Sequence, residues 1–411
     1  MEQLFFELIR VAIGTQNTLS RPPSKGEWAE LYAMAKKQSL VGICFAGLQR
    51  LYNEDNQEPS THNPKLELTQ NQALELCSLR SAGAEEPITQ NLDEVQYLTW
   101  MGMAAKIQQR NEVVNQQCVE LQNRLAKDGF RSFLIKGQCN AALYGELNAL
   151  RQSGDIDVYV DGGRESVVDY VKRTAPTSVI NEIELEFKIF DDTEVDMHYG
   201  LSNLRHPFRN KKLHAYLNGY KDANYTNYRK LPNLDKGVAC PVWEYDVVYQ
   251  LVHVYEHFIS RGVGLRQIMD FHFLLLNKPQ DANTMAVKDA VRSIGLDGFA
   301  SGLMWVLQHV FGLSMIGVPW VSNMRDGEFL LNEVLISGNF GQANEKMKNV
   351  VTNTWKRAWV VNANTFRYWR FDHWAWFWSP LWRKHGEHGF SGGIPAVSCG
   401  IGLDNGCELR G

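Results

Sequence analysis

The chain has 411 residues, too many for one typical hydrophobic core, and this length predicts two or three packed units. Hydrophobic residues make up 44% and charged residues 21%, which are ordinary values for a soluble globular protein. The formal net charge of −4 excludes a global basic field that would attract nucleic acid, although it allows a local basic cleft.

Residues 1–128 are predicted to form a helical N-terminal region. The beginning of this region is apolar but includes Glu2, Glu7 and Arg10, and it lacks both a basic start and a small-residue cleavage site. It therefore predicts an amphipathic helix rather than a signal peptide. Ser24 is a predicted N-cap for the helix that follows it. No run of roughly eighteen uncharged apolar residues occurs in the sequence, so no membrane span is expected.

A polar stretch divides this helical region. Residues 53–90 are rich in Asn, Gln, Glu, Ser and Pro, a composition that predicts a long loop or a weakly ordered insertion. The helical pattern returns over residues 93–128 and ends near Gly129.

Residues 129–235 have the pattern of a small α/β unit. The apolar run Phe133–Ile135 predicts a buried strand, and residues 138–146 predict a short helix. The period of two over Ile156–Val160 predicts a half-buried strand, and residues 164–173 predict a helix after it.

Two further alternating runs, Glu184–Phe190 and Glu194–Tyr199, predict a β-hairpin around a short polar stretch. Residues 236–390 are predicted to form a C-terminal helical domain, and residues 391–411 are a tail without an interpretable pattern. The predicted fold class is therefore α+β, with a short mixed sheet and its helices flanked by helical N- and C-terminal regions.

Asp155 and Asp157 are the central candidates for a functional site. Residues i and i+2 of a strand project from the same face, so both carboxylates can point to one place. Asp196 shares one face of the second hairpin strand with Glu194 and His198, and we expect an adjacent antiparallel strand, about 5 Å away, to bring it to the same site. His198 is a further candidate residue of this cleft. Mg²⁺ commonly takes one or two carboxylates plus substrate phosphates. The pattern predicts a metal–triphosphate site, although a DxD pair alone is more often solvated surface charge.

Lys136 and Gly137 lie between a predicted strand and a short helix. Glycine lets backbone amides approach a phosphate, the helix N-terminus favours an anion, and Lys136 can add a positive charge. The alternative is an ordinary turn glycine beside a surface lysine.

Three stretches, Leu134–Gly137, Leu143–Gly145 and Arg151–Val158, together resemble the bacterial uncharacterised nucleotidyltransferase family of the DNA polymerase β-like superfamily. Glu194–His198 is similar to that family's third-carboxylate strand. The specific resemblance covers residues 130–200 and extends weakly over the flanking helices. It implies a minimal nucleotidyltransferase core, Mg²⁺ or Mn²⁺, and an NTP such as ATP as the donor.

The resemblance implies a transferase that moves an NMP from the NTP to an acceptor hydroxyl and releases pyrophosphate. It implies three metal ligands that are also catalytic residues: Asp155, Asp157 and Asp196. It implies six residues that bind the nucleotide: Lys136, Gly137, Arg151, Ser153, Arg266 and Asp270. Gln138 stands where better-known members of the superfamily have a serine, so a hydroxyl contact to phosphate is absent. The alternative is a non-catalytic nucleotide-binding or regulatory protein on the same fold.

A predicted helix over residues 243–260 carries His253 and His257. The family has a similar histidine helix followed by Leu-Arg and Asp, so the resemblance implies that these residues line the nucleotide or acceptor cleft. Arg266 could then pair with phosphate, and Asp270 could orient Arg266 or a ribose hydroxyl. A buried polar network between helices is an equally weighted alternative. The histidines also spell H-x-x-E-H, a zinc-hydrolase pattern that would require a further ligand.

Two aromatic and basic stretches are compatible with acceptor binding. Residues 355–383 combine tryptophans with arginines, and we favour a helical-bundle core over a stacking platform or a membrane-surface helix. Residues 211–230 combine tyrosines with lysines and an arginine, and we favour a polar loop over an RNA contact. The acceptor therefore stays open among small molecules, RNA and protein.

Seven scattered cysteines without a CxxC pair fit a reducing cytoplasm, the expected location.

Overall fold

The protein is known from a computed structural model, which describes most of the first 338 residues. The described ranges are 1–56, 87–175, 179–181, 183–201, 204, 206–260, 262–314 and 316–338. Most of the polar insertion, the tryptophan-rich stretch and the tail lie outside these residues, so the predictions for them stay predictions. The predicted domain boundaries also stay predictions.

The N-terminal region is helical, as predicted. Its described helices are α1 (Glu2–Ile13), α2 (Lys25–Lys37), α3 (Val41–Asn56) and α4 (Glu94–Lys127). The N-cap prediction is confirmed, because the Ser24 side chain accepts a hydrogen bond from the Glu27 amide and the Glu27 carboxylate accepts one from the Ser24 amide. The last turn of α4 is followed by Gly129, whose φ of 89° suits a residue without a side chain.

The central sheet has four strands: β1 (Ser132–Leu134), β2 (Ile156–Val160), β3 (Glu184–Glu186) and β4 (Val195–His198). Their order is β1-β2-β4-β3. The sheet is mixed, because β2 and β4 pair parallel and the other neighbours pair antiparallel, and the predicted α+β class is confirmed. The helices between strands are α5 (Gln138–Ala141), a 3₁₀ helix (Gly145–Leu150) and α6 (Gly163–Thr174).

The predicted hairpin is present, but its relation to β2 differs from the expectation. Strands β3 and β4 pair antiparallel, whereas β4 lies parallel to β2 and not antiparallel to it. The reason is the position of the hairpin in the sheet: β3 lies at the edge and runs opposite to β2, so the hairpin returns β4 between them in the direction of β2.

Strand β2 is buried on both faces, so the prediction of a half-buried strand was wrong. One face, with Ile156 and Val158, packs in a cluster that includes residues of α4 and α6. On the other face, Tyr159 stacks on Phe133, whose ring lies 5.8 Å from that of Tyr245 in a C-terminal helix. The C-terminal helices thus cover the face that sequence periodicity assigned to solvent.

The C-terminal region is helical as far as the structure describes it. Helix α7 (Pro207–Asn224) is followed by a hairpin of β5 (Tyr228–Lys230) and β6 (Gly237–Ala239). Five described helices come next: α8 (Trp243–Ser260), α9 (Leu265–Leu276), α10 (Thr284–Ser293), α11 (Asp297–Phe311) and α12 (Met324–Ser337). Helix α7 and strand β5 replace the polar loop predicted over residues 211–230. Among the described residues, no helix is both long and apolar enough to span a bilayer.

Candidate functional site

Three carboxylates converge at the N-terminal end of β2, as predicted. Asp155 directly precedes the strand, and Asp157 lies in it opposite Asp196 of β4, so the parallel register brings the last two side by side. Each residue offers a ligand oxygen, and these oxygens all lie within 4.8 Å of one another. No other such cluster of three or more acidic, histidine or cysteine side chains occurs in the described part of the chain.

Asp157 is the most constrained of the three, with 4% of its surface exposed. Its Oδ1 atom lies 2.7 Å from Nζ of Lys136 and 3.0 Å from Nε2 of His198. The other ring nitrogen of His198 lies 3.3 Å from Glu184 Oε2, since Glu184 and His198 are register partners in β3 and β4. One oxygen of Asp157 therefore has two partners inside the protein.

Crowding of the carboxylates changes their pKa values. The charge of Asp157, together with burial, raises the pKa of Asp155. Burial and the charges of Asp157 and Asp155 raise the pKa of Asp196 to about 7. Burial would also raise the pKa of Asp157, but the charge of Lys136 and the hydrogen bond from His198 outweigh it and lower that pKa. The neighbouring positive charge of Lys136 does not balance the negative charges of the three carboxylates. This imbalance favours binding of a cation.

Asp196→Asn should stabilise the metal-free protein at alkaline pH, because the neutral amide removes a carboxylate whose ionisation the fold opposes. A carboxyl group with a raised folded-state pKa binds more protons folded than unfolded. Its penalty therefore grows as the pH rises from about 4 to about 7 and is absent below that window. We expect the free energy of unfolding to increase by about 1–2 kcal/mol at about pH 8, a figure reduced for partial exposure, and by nearly zero at about pH 4.

Urea denaturation in EDTA at both pH values measures this difference. A variant that is no more stable than the wild type at the higher pH would show that burial and the neighbouring charges do not raise the pKa of Asp196.

Gly137 begins the turn that leads from β1 into α5. Its φ of 61° and ψ of −114° are accessible to glycine and strained for other residues. A Cβ atom here would also lie 3.3 Å from the carbonyl oxygen of Asp155. The glycine therefore allows the turn that carries Lys136 to lie against the strand that carries the carboxylates.

Arg151 and Asp270 form a buried ion pair. The Nε and Nη2 atoms of Arg151 lie 2.6 and 2.7 Å from the two oxygens of Asp270, and the Tyr144 hydroxyl donates to the same carboxylate at 2.7 Å. Asp270 thus binds Arg151, a contact that the sequence did not suggest, and the charge of Arg266 also acts on it. Arg266 donates to the carbonyl oxygen of Gln152 at 2.7 Å. These hydrogen bonds join the start of α9 to the loop before β2, so the choice between a nucleotide-binding role and a polar network between helices stays open.

The histidine helix is α8, and both histidines face the same cavity as the carboxylates. The ring of His253 lies parallel to that of Tyr249 one turn earlier and 4.3 Å from that of His257. Burial, together with the charge of Lys136, lowers the pKa of His253 well below its ordinary value. Within the described ranges, no third ligand joins these histidines in a metal-binding cluster, so the zinc-hydrolase pattern gains no support.

One cavity of about 310 Å³ collects nearly all the predicted site residues. It is lined by Lys136, Gly137, Arg151, Asp155, Asp157, Asp196, His198, His253, His257, Arg266 and Asp270. Ser153 is the exception, since it is absent from the lining and its buried hydroxyl has no hydrogen-bond partner in the described structure.

Sequence reasoning missed several other residues of this cavity, among them Glu184, Tyr249 and Gln267. Glu184 could have been found from the hairpin, because it pairs with His198 across the two strands. Tyr249 could have been found from its position four residues before His253 on one helical face. Gln267 carried no signal beyond its place in the first turn of a helix.

More than half of the chain matches a known protein family. Residues 24–312 match the model of a family described as "Uncharacterised nucleotidyltransferase". The match includes the sheet, the carboxylate cluster and helices α8 and α9. A search of curated proteins finds no match.

Proposed function

The chain belongs to the uncharacterised nucleotidyltransferase family, and from this premise we propose that it moves an NMP from an NTP to an acceptor hydroxyl with release of pyrophosphate. The observation that carries the proposal is the convergence of Asp155, Asp157 and Asp196 in a cavity that Lys136 also lines. Membership of the family supports the reaction class, and the carboxylates support the need for a metal ion.

The donor set fits Mg²⁺ or Mn²⁺. It consists of carboxylate oxygens, which these hard cations prefer, and it contains no sulfur ligand. The raised pKa values of Asp155 and Asp196 support the same assignment, because an added positive charge would favour their ionised forms. When bound, such an ion would neutralise phosphate charge and favour ionisation of the acceptor hydroxyl.

We assign the remaining roles to residues of the cavity wall. Lys136 would bind the triphosphate, since burial disfavours its ammonium group but the charges of Asp157 and Asp155 raise its pKa and keep it positive. Gly137 would let the backbone approach the phosphates. Asp196 is only partly buried and lies beside Asp157 in the neighbouring strand, which supports a role in activating the acceptor hydroxyl.

Pyrophosphate release from each of the four NTPs, with Mg²⁺ and an extract fraction as the source of acceptor, tests the proposal. We expect release that depends on the divalent cation and on the protein. Mass spectrometry of the extract after incubation with labelled NTP would then identify the modified acceptor. Binding of NTP without release of pyrophosphate in any extract would favour the non-catalytic nucleotide-binding protein instead.

A further inference from the structure

The cavity has a second wall, formed by the start of α9 and the loop before β2, in which two buried hydrogen-bond donors lack an acceptor among the described residues. Gln267 has 6% of its surface exposed, and its Oε1 accepts a hydrogen bond from the Gly264 amide at 3.0 Å. Because a backbone N–H can only donate, this contact fixes which end of the side-chain amide is oxygen. Nε2 is then a buried donor with no hydrogen-bond partner among the residues that the structure describes.

Arg151 supplies a second donor of the same kind. It is 3% exposed, and two of its three nitrogens are used by Asp270. The third, Nη1, is buried without a hydrogen-bond partner in the described ranges. Asp270 already accepts from Arg151 and Tyr144, so it has little capacity left for Nη1. Buried donors without acceptors are uncommon in folded proteins, and two in one cavity wall indicate a missing acceptor.

The charge of this wall agrees with the donor pattern. Arg151 and Arg266 both line the cavity near Asp270, and burial and the charge of Arg151 lower the pKa of Arg266 although the charges of Asp270 and Asp155 raise it. Arg266 also acts electrostatically on Asp155, so the wall lies close to the carboxylate cluster. One side of the cavity is thus acidic and suited to a cation, and the other is rich in donors and suited to an anion.

We propose that the terminal phosphate of the donor NTP binds at this second wall and accepts hydrogen bonds from Gln267 Nε2 and Arg151 Nη1. The inference rests on the proposed function, since it requires a triphosphate whose inner phosphates lie near Asp155, Asp157 and Asp196. A phosphate offers several acceptor oxygens to converging donors, and guanidinium groups bind it in preferred geometries. Gln267 is then a residue that selects a triphosphate over shorter phosphate chains.

Gln267→Glu tests this assignment with little change in shape. The new carboxylate retains an oxygen that accepts from the Gly264 amide, and it replaces the donor Nε2 with a negatively charged oxygen. Calorimetric titration with ATP, ADP, AMP and inorganic tripolyphosphate, in Mg²⁺ and without acceptor, measures the effect. We expect the affinities for ATP and tripolyphosphate to fall at least about 10-fold and that for AMP to change less than about 2-fold.

Gln96→Glu is the matched control, because Gln96 also accepts from an N-cap amide in the first turn of a helix, α4, away from the cavity. It should bind all four ligands like the wild type. If Gln267→Glu fails to fold, Gln267→Met removes the donor without adding charge and should show the same selectivity at smaller magnitude.

Four results would overturn the assignment. Equal losses for ATP and AMP would indicate general damage to the site, and equal losses for ATP and ADP would place the contact at an inner phosphate. Unchanged affinity of the variant for ATP would show that no phosphate binds at this wall. A wild-type protein that binds neither ATP nor tripolyphosphate would show the same. Failure of the proposed function is distinguishable, since it would appear as intact binding without pyrophosphate release.

Discussion

Asp157→Asn should lower the rate of pyrophosphate release by about 100- to 1000-fold, because a bound metal ion contributes several kcal/mol to stabilisation of charge in phosphoryl transfer. Asp157 is buried between Lys136 and His198, and an asparagine of nearly the same shape can still accept their hydrogen bonds through its oxygen. The amide nitrogen, however, replaces the second carboxylate oxygen and cannot bind a cation. A steady-state assay at saturating NTP and Mg²⁺ measures the loss.

Asp161→Asn is the matched control at the other end of β2. Asp161 directly follows the strand and forms ion pairs with Arg131 and Lys221, outside the cavity. Its variant should retain the wild-type rate, and thermal melting should show that both variants are folded. An Asp157→Asn protein that is folded and as active as the wild type would exclude this carboxylate from the reaction.

Asp270→Asn should lower the free energy of unfolding by about 3–5 kcal/mol, because it leaves the buried guanidinium of Arg151 without its counter-charge. Both side chains are buried, with 4% and 5% of their surface exposed. The substitution also weakens the acceptor of the Tyr144 hydroxyl. Urea denaturation at neutral pH measures the change through the midpoint and slope of the transition.

The exposed pair of Arg292 and Asp289 provides the comparison, with side chains 63% and 62% exposed. Asp289→Asn should change the free energy of unfolding by less than about 0.5 kcal/mol, because water and salt screen exposed ion pairs. Equal effects of the two substitutions would show that the pair of Arg151 and Asp270 is not buried in solution as it is in the structure.

Local sequence patterns were sufficient for most elements of the fold. The capping residue Ser24, the two alternating runs of the hairpin and the glycine that follows α4 each act within a few residues, so their effects can be read from the sequence. The carboxylate pair Asp155 and Asp157 was recognisable for the same reason, since spacing of two on a strand already places both side chains on one face.

Contacts between distant segments could not be predicted in this way. The parallel pairing of β2 with β4 depends on where the hairpin joins the sheet, and the burial of Tyr159 depends on helices about 90 residues later in the chain. Arg151 and Asp270 are 119 positions apart, and no local pattern indicates that they meet. The family resemblance suggested both residues for the site, but only the structure shows that they bind each other.

Titration of the purified protein with Mn²⁺, followed by electron paramagnetic resonance, tests most directly whether the three carboxylates bind a divalent cation. We predict that the wild type binds Mn²⁺ and that an NTP strengthens this binding, because its phosphates complete the coordination of the ion. Asp155→Asn should lose the binding while Asp161→Asn keeps it. Equal Mn²⁺ affinity in the wild type and the Asp155→Asn variant would contradict a metal site at Asp155, Asp157 and Asp196.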